Sequence, residues 1–208
     1  MMKIKDIIPK INPISTMQAI ALNEVGDNPR APYRFSYAGG KSGYSFGRSQ
    51  FDVTGNPAAR KFLKGIGFTD KDIERLLSLD SSIDDLTAKL QEHKKEIDDL
   101  DLSHIKSSIE YLSTLIPDIE VKDSETFIHL LDYHNQLFLS YNGQMYKWLK
   151  EKGEVITPEM ILKFKLNQKW GQINPQDVKR RYNNIKSYWK NKIRRDKIWK
   201  ILSLTIQN

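Results

Sequence analysis

Glu24 follows the apolar run Ile20-Ala21-Leu22 and Asn23, and precedes Val25 and Gly26. A carboxyl at the end of an apolar helix can sit at the wall of a cleft, partly withdrawn from water. Desolvation there disfavours the charged form, which suits a proton donor working near neutral pH. Asp27 and Asp52 are the candidates for a second carboxylate. Ser45 and Gln50 sit in a glycine-broken polar run, Gly43-Tyr44-Ser45-Phe46-Gly47-Arg48-Ser49-Gln50-Phe51-Asp52, where glycine allows close backbone approach to a ligand. Tyr33, Tyr37 and Tyr44 offer rings for stacking. The chain has no cysteine, so thiol nucleophiles, thiolate metal sites and disulfides are excluded. His93, His104, His129 and His134 have no zinc-protease spacing, so neither a metal nor a cofactor is expected.

The elements that must carry these residues read as mostly helical. A helix capped by Ser15 runs through Met17, Ile20 and Ala21 to Glu24 and ends near Gly26. Residues 27–55 change texture. Pro29, Pro32, Gly39, Gly40, Gly43 and Gly47 break any helix, and aromatics alternate between them. A small irregular hairpin is expected, turning at Gly39-Gly40. Asn56-Pro57 and Thr69 open two further helices. Residues 80–102 read as a charged helical insertion, a projecting hairpin or a coiled segment. Ile105, Ile109, Leu112 and Leu115 mark an amphipathic helix. Residues 124–150 read as one long helical stretch bent near Gly143. Thr157-Pro158 starts a basic helical part over 157–208, in which Val178, Tyr182, Ile185 and Trp189 form a regular apolar stripe. The expected fold is mainly α (α+β): one domain over 1–208 with a small early β-hairpin and a basic C-terminal helix.

Net charge is +7, with an acidic middle and a basic end. The basic end suits an anionic cell wall or membrane surface. Lys179-Arg180-Arg181, Lys190, Lys192, Arg194 and Arg195, interleaved with Tyr182, Tyr188 and Trp189, raise nucleic acid as an alternative partner. The inward stripe argues for an ordinary terminal helix instead. Lys3, Lys5, Asp6, Pro9, Lys10 and Pro13 interrupt what a secretory signal would need to keep apolar. Synthesis in the cytoplasm, followed by holin-type release or export by a secretion machine, is the expected route to a cell wall.

The run Phe46-Gly47-Arg48-Ser49-Gln50-Phe51-Asp52 resembles the hairpin motif of goose-type lysozymes and lytic transglycosylases. Two further segments follow in the family's order. His104-Ile105, Ser108 and Tyr111-Leu112 keep the spacing of the family's Asn-Ile, Gly and Tyr-Leu. Ser140-Tyr141-Asn142-Gly143 with Trp148-Leu149 is similar to its Ala-Tyr-Asn-Ala-Gly and Trp-Leu. The chain departs from the pattern at Val25, where the family has Ser, and at the missing second alanine after Asn142. The resemblance implies a lysozyme-like helical fold acting on peptidoglycan glycan strands. It implies Glu24 as acid–base residue, with Ser45, Gln50, Tyr141, Asn142 and Tyr37 at the substrate.

A hydrolytic glycosidase needs two carboxyls, about 5–5.5 Å apart if retaining and about 6.5–9.5 Å if inverting. The phage-type arrangement, with Asp nine residues beyond the Glu, fails because that position is Tyr33. A lytic transglycosylase needs one carboxyl, and the surroundings of Glu24 suit it. A hydrolytic muramidase using Asp27 or Asp52 is the alternative. A non-catalytic adaptor or nucleic-acid-binding protein is the remaining one.

Overall fold

The computed structural model describes residues 1–40 and 42–206, with the side chains of 1–40 and 42–196. In chain order the elements are β1 (Met2–Lys3), α1 (Ile4–Ile7), α2 (Pro13–Glu24), β2 (Ser36–Tyr37), β3 (Tyr44–Phe46), β4 (Phe51–Asp52), α3 (Pro57–Gly65) and α4 (Asp70–Leu77). They continue with α5 (Asp84–Gln91), α6 (Lys94–Leu115), β5 (Glu120–Val121), α7 (Ser124–Leu137), α8 (Gln144–Lys152), α9 (Pro158–Asn167), α10 (Lys169–Ile173) and α11 (Pro175–Ile206). The fold is mainly α with small antiparallel strands. No helix among the described residues is long and apolar enough to cross a membrane.

The chain divides into two compact units, Met1–Asn23 with Ser107–Asn208, and Glu24–Lys106. In the first, β1 pairs antiparallel with β5, Met2 opposite Val121 and Lys3 opposite Glu120. That pairing brings Ile4 and Ile7 into the core, both fully buried. Asn12, and not Ser15, caps α2: its Oδ1 accepts the Ser15 N–H at 3.0 Å. Pro13 takes the first helical position, where its missing N–H costs nothing. Helix α7 packs on α9 and α11, burying Phe127, Ile128, Leu130 and Leu131. The stripe on α11 faces inward at Val178, Tyr182 and Ile185, while Trp189 is half-buried. Trp148, Trp170 and Trp189 belong to this unit, and residues 24–106 contain no tryptophan.

The long helix expected over 124–150 is two helices. The chain leaves α7 at Phe138, whose φ of 53° and ψ of 98° no helix accepts, and restarts at Gln144. Ser140 to Gly143 form the turn between them, with Asn142 at φ 58°.

The second unit is built on aromatic rings. Phe35, Phe46, Phe51 and Phe68 meet Leu63, Leu76, Leu86, Leu90 and Ile97 in one cluster. The expected single hairpin is a three-stranded meander, β2-β3-β4, with Ser36 opposite Ser45 and Phe46 opposite Phe51. Asn56 caps α3 through the Ala58 N–H, and Thr69 with Asp72 forms a reciprocal capping box on α4. Within 80–102, residues 84–91 and 94–102 are helical, and their apolar positions are buried in the unit. Ile83, Leu86, Leu90 and Ile97 supply apolar positions to the same core as the phenylalanines, and burial of each side chain is worth about 1.5–3 kcal/mol.

Candidate functional site

Glu24 is the last residue of α2 and half-buried. Gly26, at φ 67°, ends the helix in the left-handed region that favours glycine. The chain then passes Asn28 and Ala31 to reach β2. A surface cleft of about 370 Å³ opens here, lined by Glu24, Val25, Asn28, Ala31, Arg34, Phe35, Ser36 and Gln50. Glu24 is the only carboxylate in that lining. The cleft thus joins one acid to a guanidinium, two amides and a hydroxyl over an apolar floor.

Gln50 reaches the cleft from a tight turn between β3 and β4. Gly47 stands at φ 78° and Gln50 at φ 54°. A Cβ on Gly47 would lie 2.9 Å from the Phe51 ring and 3.3 Å from the Asp101 carboxylate, so both conformation and space require glycine. Asp101, from α6, holds the turn. Its Oδ2 accepts the Arg48 N–H at 2.7 Å and its Oδ1 accepts the Ser49 N–H at 2.9 Å. Burial pushes the Asp101 carboxyl above the usual carboxylate range, with the two backbone N–H groups opposing that rise. Gln50 itself is pinned: its Nε2 donates to the Gly47 carbonyl at 3.0 Å and its Oε1 accepts from the Ser36 hydroxyl at 2.8 Å. A rigid amide on the cleft wall results.

Other predicted residues have different surroundings. Ser45 and Tyr37 lie in the same unit but outside the cleft lining. Tyr37 is half-exposed and its ring lies 6.1 Å from that of Tyr44. Asp52 accepts the Gly43 N–H at 3.1 Å and the Thr54 N–H at 2.8 Å, which shapes the loop around it. Asp27 is exposed in the turn after α2 and outside the lining. Tyr33 donates to Asp98 at 2.9 Å and accepts from Arg48 at 2.9 Å, so its hydroxyl is committed. Tyr44 likewise donates to the Asp80 carbonyl at 2.9 Å. Tyr141 and Asn142 belong to the other unit, on the exposed turn before α8, where the Tyr141 ring lies 5.0 Å from Tyr146.

Asn28, Arg34 and Ser36 complete the cleft, and their residue types alone do not single them out. The pairing of Ser36 with Ser45 carries the signal, because it brings Ser36 to the 50-turn.

The first unit holds a buried charge cluster that the sequence did not reveal. Asp132 on α7 is nearly inaccessible. It accepts from Arg181 at 2.6 Å, from Asn23 at 2.9 Å and from Lys165 at 3.1 Å. Burial alone would raise its pKa, but Lys165 and Arg181 hold it well below the usual carboxylate range. Burial also lowers the Lys165 ammonium, with Asp132 opposing. Arg181, read in sequence as part of a nucleic-acid-facing run, is therefore an internal ion-pair partner. Among the described residues no cluster of three or more His, Asp or Glu side chains could hold a metal ion. Comparison of the chain with protein-family models, curated proteins and solved structures returns no match.

Proposed function

We propose that the chain cleaves the β-1,4 bond between MurNAc and GlcNAc in peptidoglycan as a lytic transglycosylase, with Glu24 as acid and then base. The observation that carries this reading is the meeting of Glu24 and Gln50, 26 residues apart in sequence, in one cleft that holds no second carboxylate. In the first step the Glu24 carboxyl protonates the glycosidic oxygen as its bond to C1 breaks. In the second, the Glu24 carboxylate takes the proton of the sugar's C6 hydroxyl as O6 bonds to C1. The product is a 1,6-anhydro ring, no water is consumed, and Glu24 ends protonated as it began. Gln50, Ser36 and Asn28 offer hydrogen bonds to sugar hydroxyls, and Phe35 an apolar face. A hydrolytic reading through Asp52 is disfavoured by that residue's commitment to the Gly43 and Thr54 amides.

The test is digestion of purified peptidoglycan by the wild-type chain and by Glu24→Gln, with the products identified by mass spectrometry. Anhydromuramyl ends are expected, with turnover reduced by about 10²–10⁴-fold in the variant. Reducing ends would replace this reading with a muramidase. Release of nothing by the wild type would remove the catalytic reading.

A further inference from the structure

A second pocket, of about 330 Å³, lies in the same unit as the Glu24 cleft and is lined by Arg30, Tyr33, Arg34, Gln91 and Lys94. Three of these five residues are cations, and none is an acid. Among the described residues, the side chains of Arg30, Arg34 and Lys94 make no ion pair. The Asp98 carboxylate reaches the wall of this pocket through the Tyr33 hydroxyl, and its charge is met there by Arg48 at 3.2 Å. Lys94 Nζ stands 5.7 Å from the centre of the Tyr33 ring. Lys94 also opens the 22-residue helix α6, whose dipole adds positive potential at that end. Holding three like charges around one hollow raises the free energy of the empty pocket, and an anion relieves it.

Arg34 lines both this pocket and the Glu24 cleft, so the two hollows adjoin. We infer that the Arg30–Arg34–Lys94 pocket binds an anionic substituent carried by the glycan whose sugars occupy the Glu24 cleft. This inference rests on the glycan-cleaving reading of that cleft. The recognised chemistry is a carboxylate or phosphate oxygen held by guanidinium and ammonium groups. A stem peptide supplies the first and a phosphodiester polymer attached to the wall supplies the second. The substrate is then a substituted, acidic strand, and a bare neutral glycan without lactyl acids, a polymer of N-acetylglucosamine, binds less tightly.

The experiment measures association of the Glu24→Gln chain with three preparations. These are walls bearing peptides and phosphate polymers, walls freed of phosphate, and the bare N-acetylglucosamine glycan. The comparison is with the same chain carrying Arg30→Gln and Lys94→Gln, two exposed positions outside the Glu24 cleft. The double change is expected to weaken binding to acidic walls by about tenfold or more, with binding to bare glycan unaltered. A loss that persists on phosphate-free walls assigns the carboxylate, and one confined to phosphate-bearing walls assigns the phosphate. Equal binding by both chains on all three preparations, an equal loss on bare glycan, or no association of the parent with any wall would overturn the inference. Binding here needs no cleavage, so a wild type that releases no muropeptides counts against the proposed reaction and leaves this measurement readable.

Discussion

Each unit encloses one aspartate shut away from solvent, Asp132 at 1% exposure and Asp101 at 0%. They are neutralised in opposite ways. Asp132 is met by side-chain cations from α9 and α11, and its pKa falls. Asp101 is met by the backbone N–H groups of Arg48 and Ser49, and its pKa rises because burial outweighs those bonds. Paired side-chain charges tie three helices together. Backbone donors instead fix the shape of a turn, and that turn carries Gln50 to the cleft. The first aspartate therefore braces packing, and the second shapes the wall of a cleft.

The comparison can be broken most sharply at Asp132. Asp132→Ala leaves Lys165 and Arg181 buried without their counter-charge, and a loss of about 3–5 kcal/mol is expected in urea denaturation. A loss below about 1 kcal/mol would mean that water or rearrangement replaces the carboxylate, and that the brace is dispensable. Asp101→Ala removes the acceptor of two backbone N–H groups at a smaller cost, about 1–3 kcal/mol. Hydrogen exchange at the Arg48 and Ser49 amides should accelerate in that variant, and unchanged protection there would dissociate Asp101 from the turn. Thr69→Ala, which removes the capping box on α4, is expected to cost about 1 kcal/mol and to leave exchange at both amides unchanged.

The smallest effect is in pH dependence, where the two aspartates should part in sign. A carboxyl raised on folding contributes stability that is full below its unfolded pKa and lost as pH rises through the folded value. A carboxyl lowered on folding contributes stability present above its unfolded pKa and lost as pH falls through the folded one. Mild acid should therefore favour the unit holding Asp101, from just above the ordinary carboxylate value upward to its raised one. The Asp132 contribution should survive below that ordinary value. Exchange-derived stabilities of the two units across this range should diverge, and Asp101→Asn should flatten the profile of its own unit only.

Much of the helical framework was legible, because apolar spacing such as Val178, Tyr182 and Ile185 records a buried face directly. What escaped are features set by partners far away in sequence. Arg181 sits in a run of basic residues and looks solvated. Its fate is decided by Asp132, 49 residues earlier. Asp101 belongs to an acidic stretch with Asp98 and Asp99, and only the fold of the 47–50 turn distinguishes it from them. Strand β1 is two residues long, too short for any alternation to register. The α7–α8 break depends on Phe138 adopting a conformation that its residue type gives no reason to expect. In the cleft, Glu24 and Gln50 stood out by type and neighbours. Arg34 and Ser36 did not, since nothing in an aromatic strand run marks which polar residue will face a hollow.

The absence of tryptophan from residues 24–106 partitions the molecule optically. Light that excites indole alone interrogates the unit braced by Asp132, while residues 24–106 remain dark. The chain has no cysteine. A single cysteine in place of the exposed Ala38 would therefore carry one dye, attached nowhere else, and give the cleft-bearing unit its own colour. Two emission channels from one sample would then report whether the units melt together or in sequence, and whether a wall fragment perturbs one of them or both.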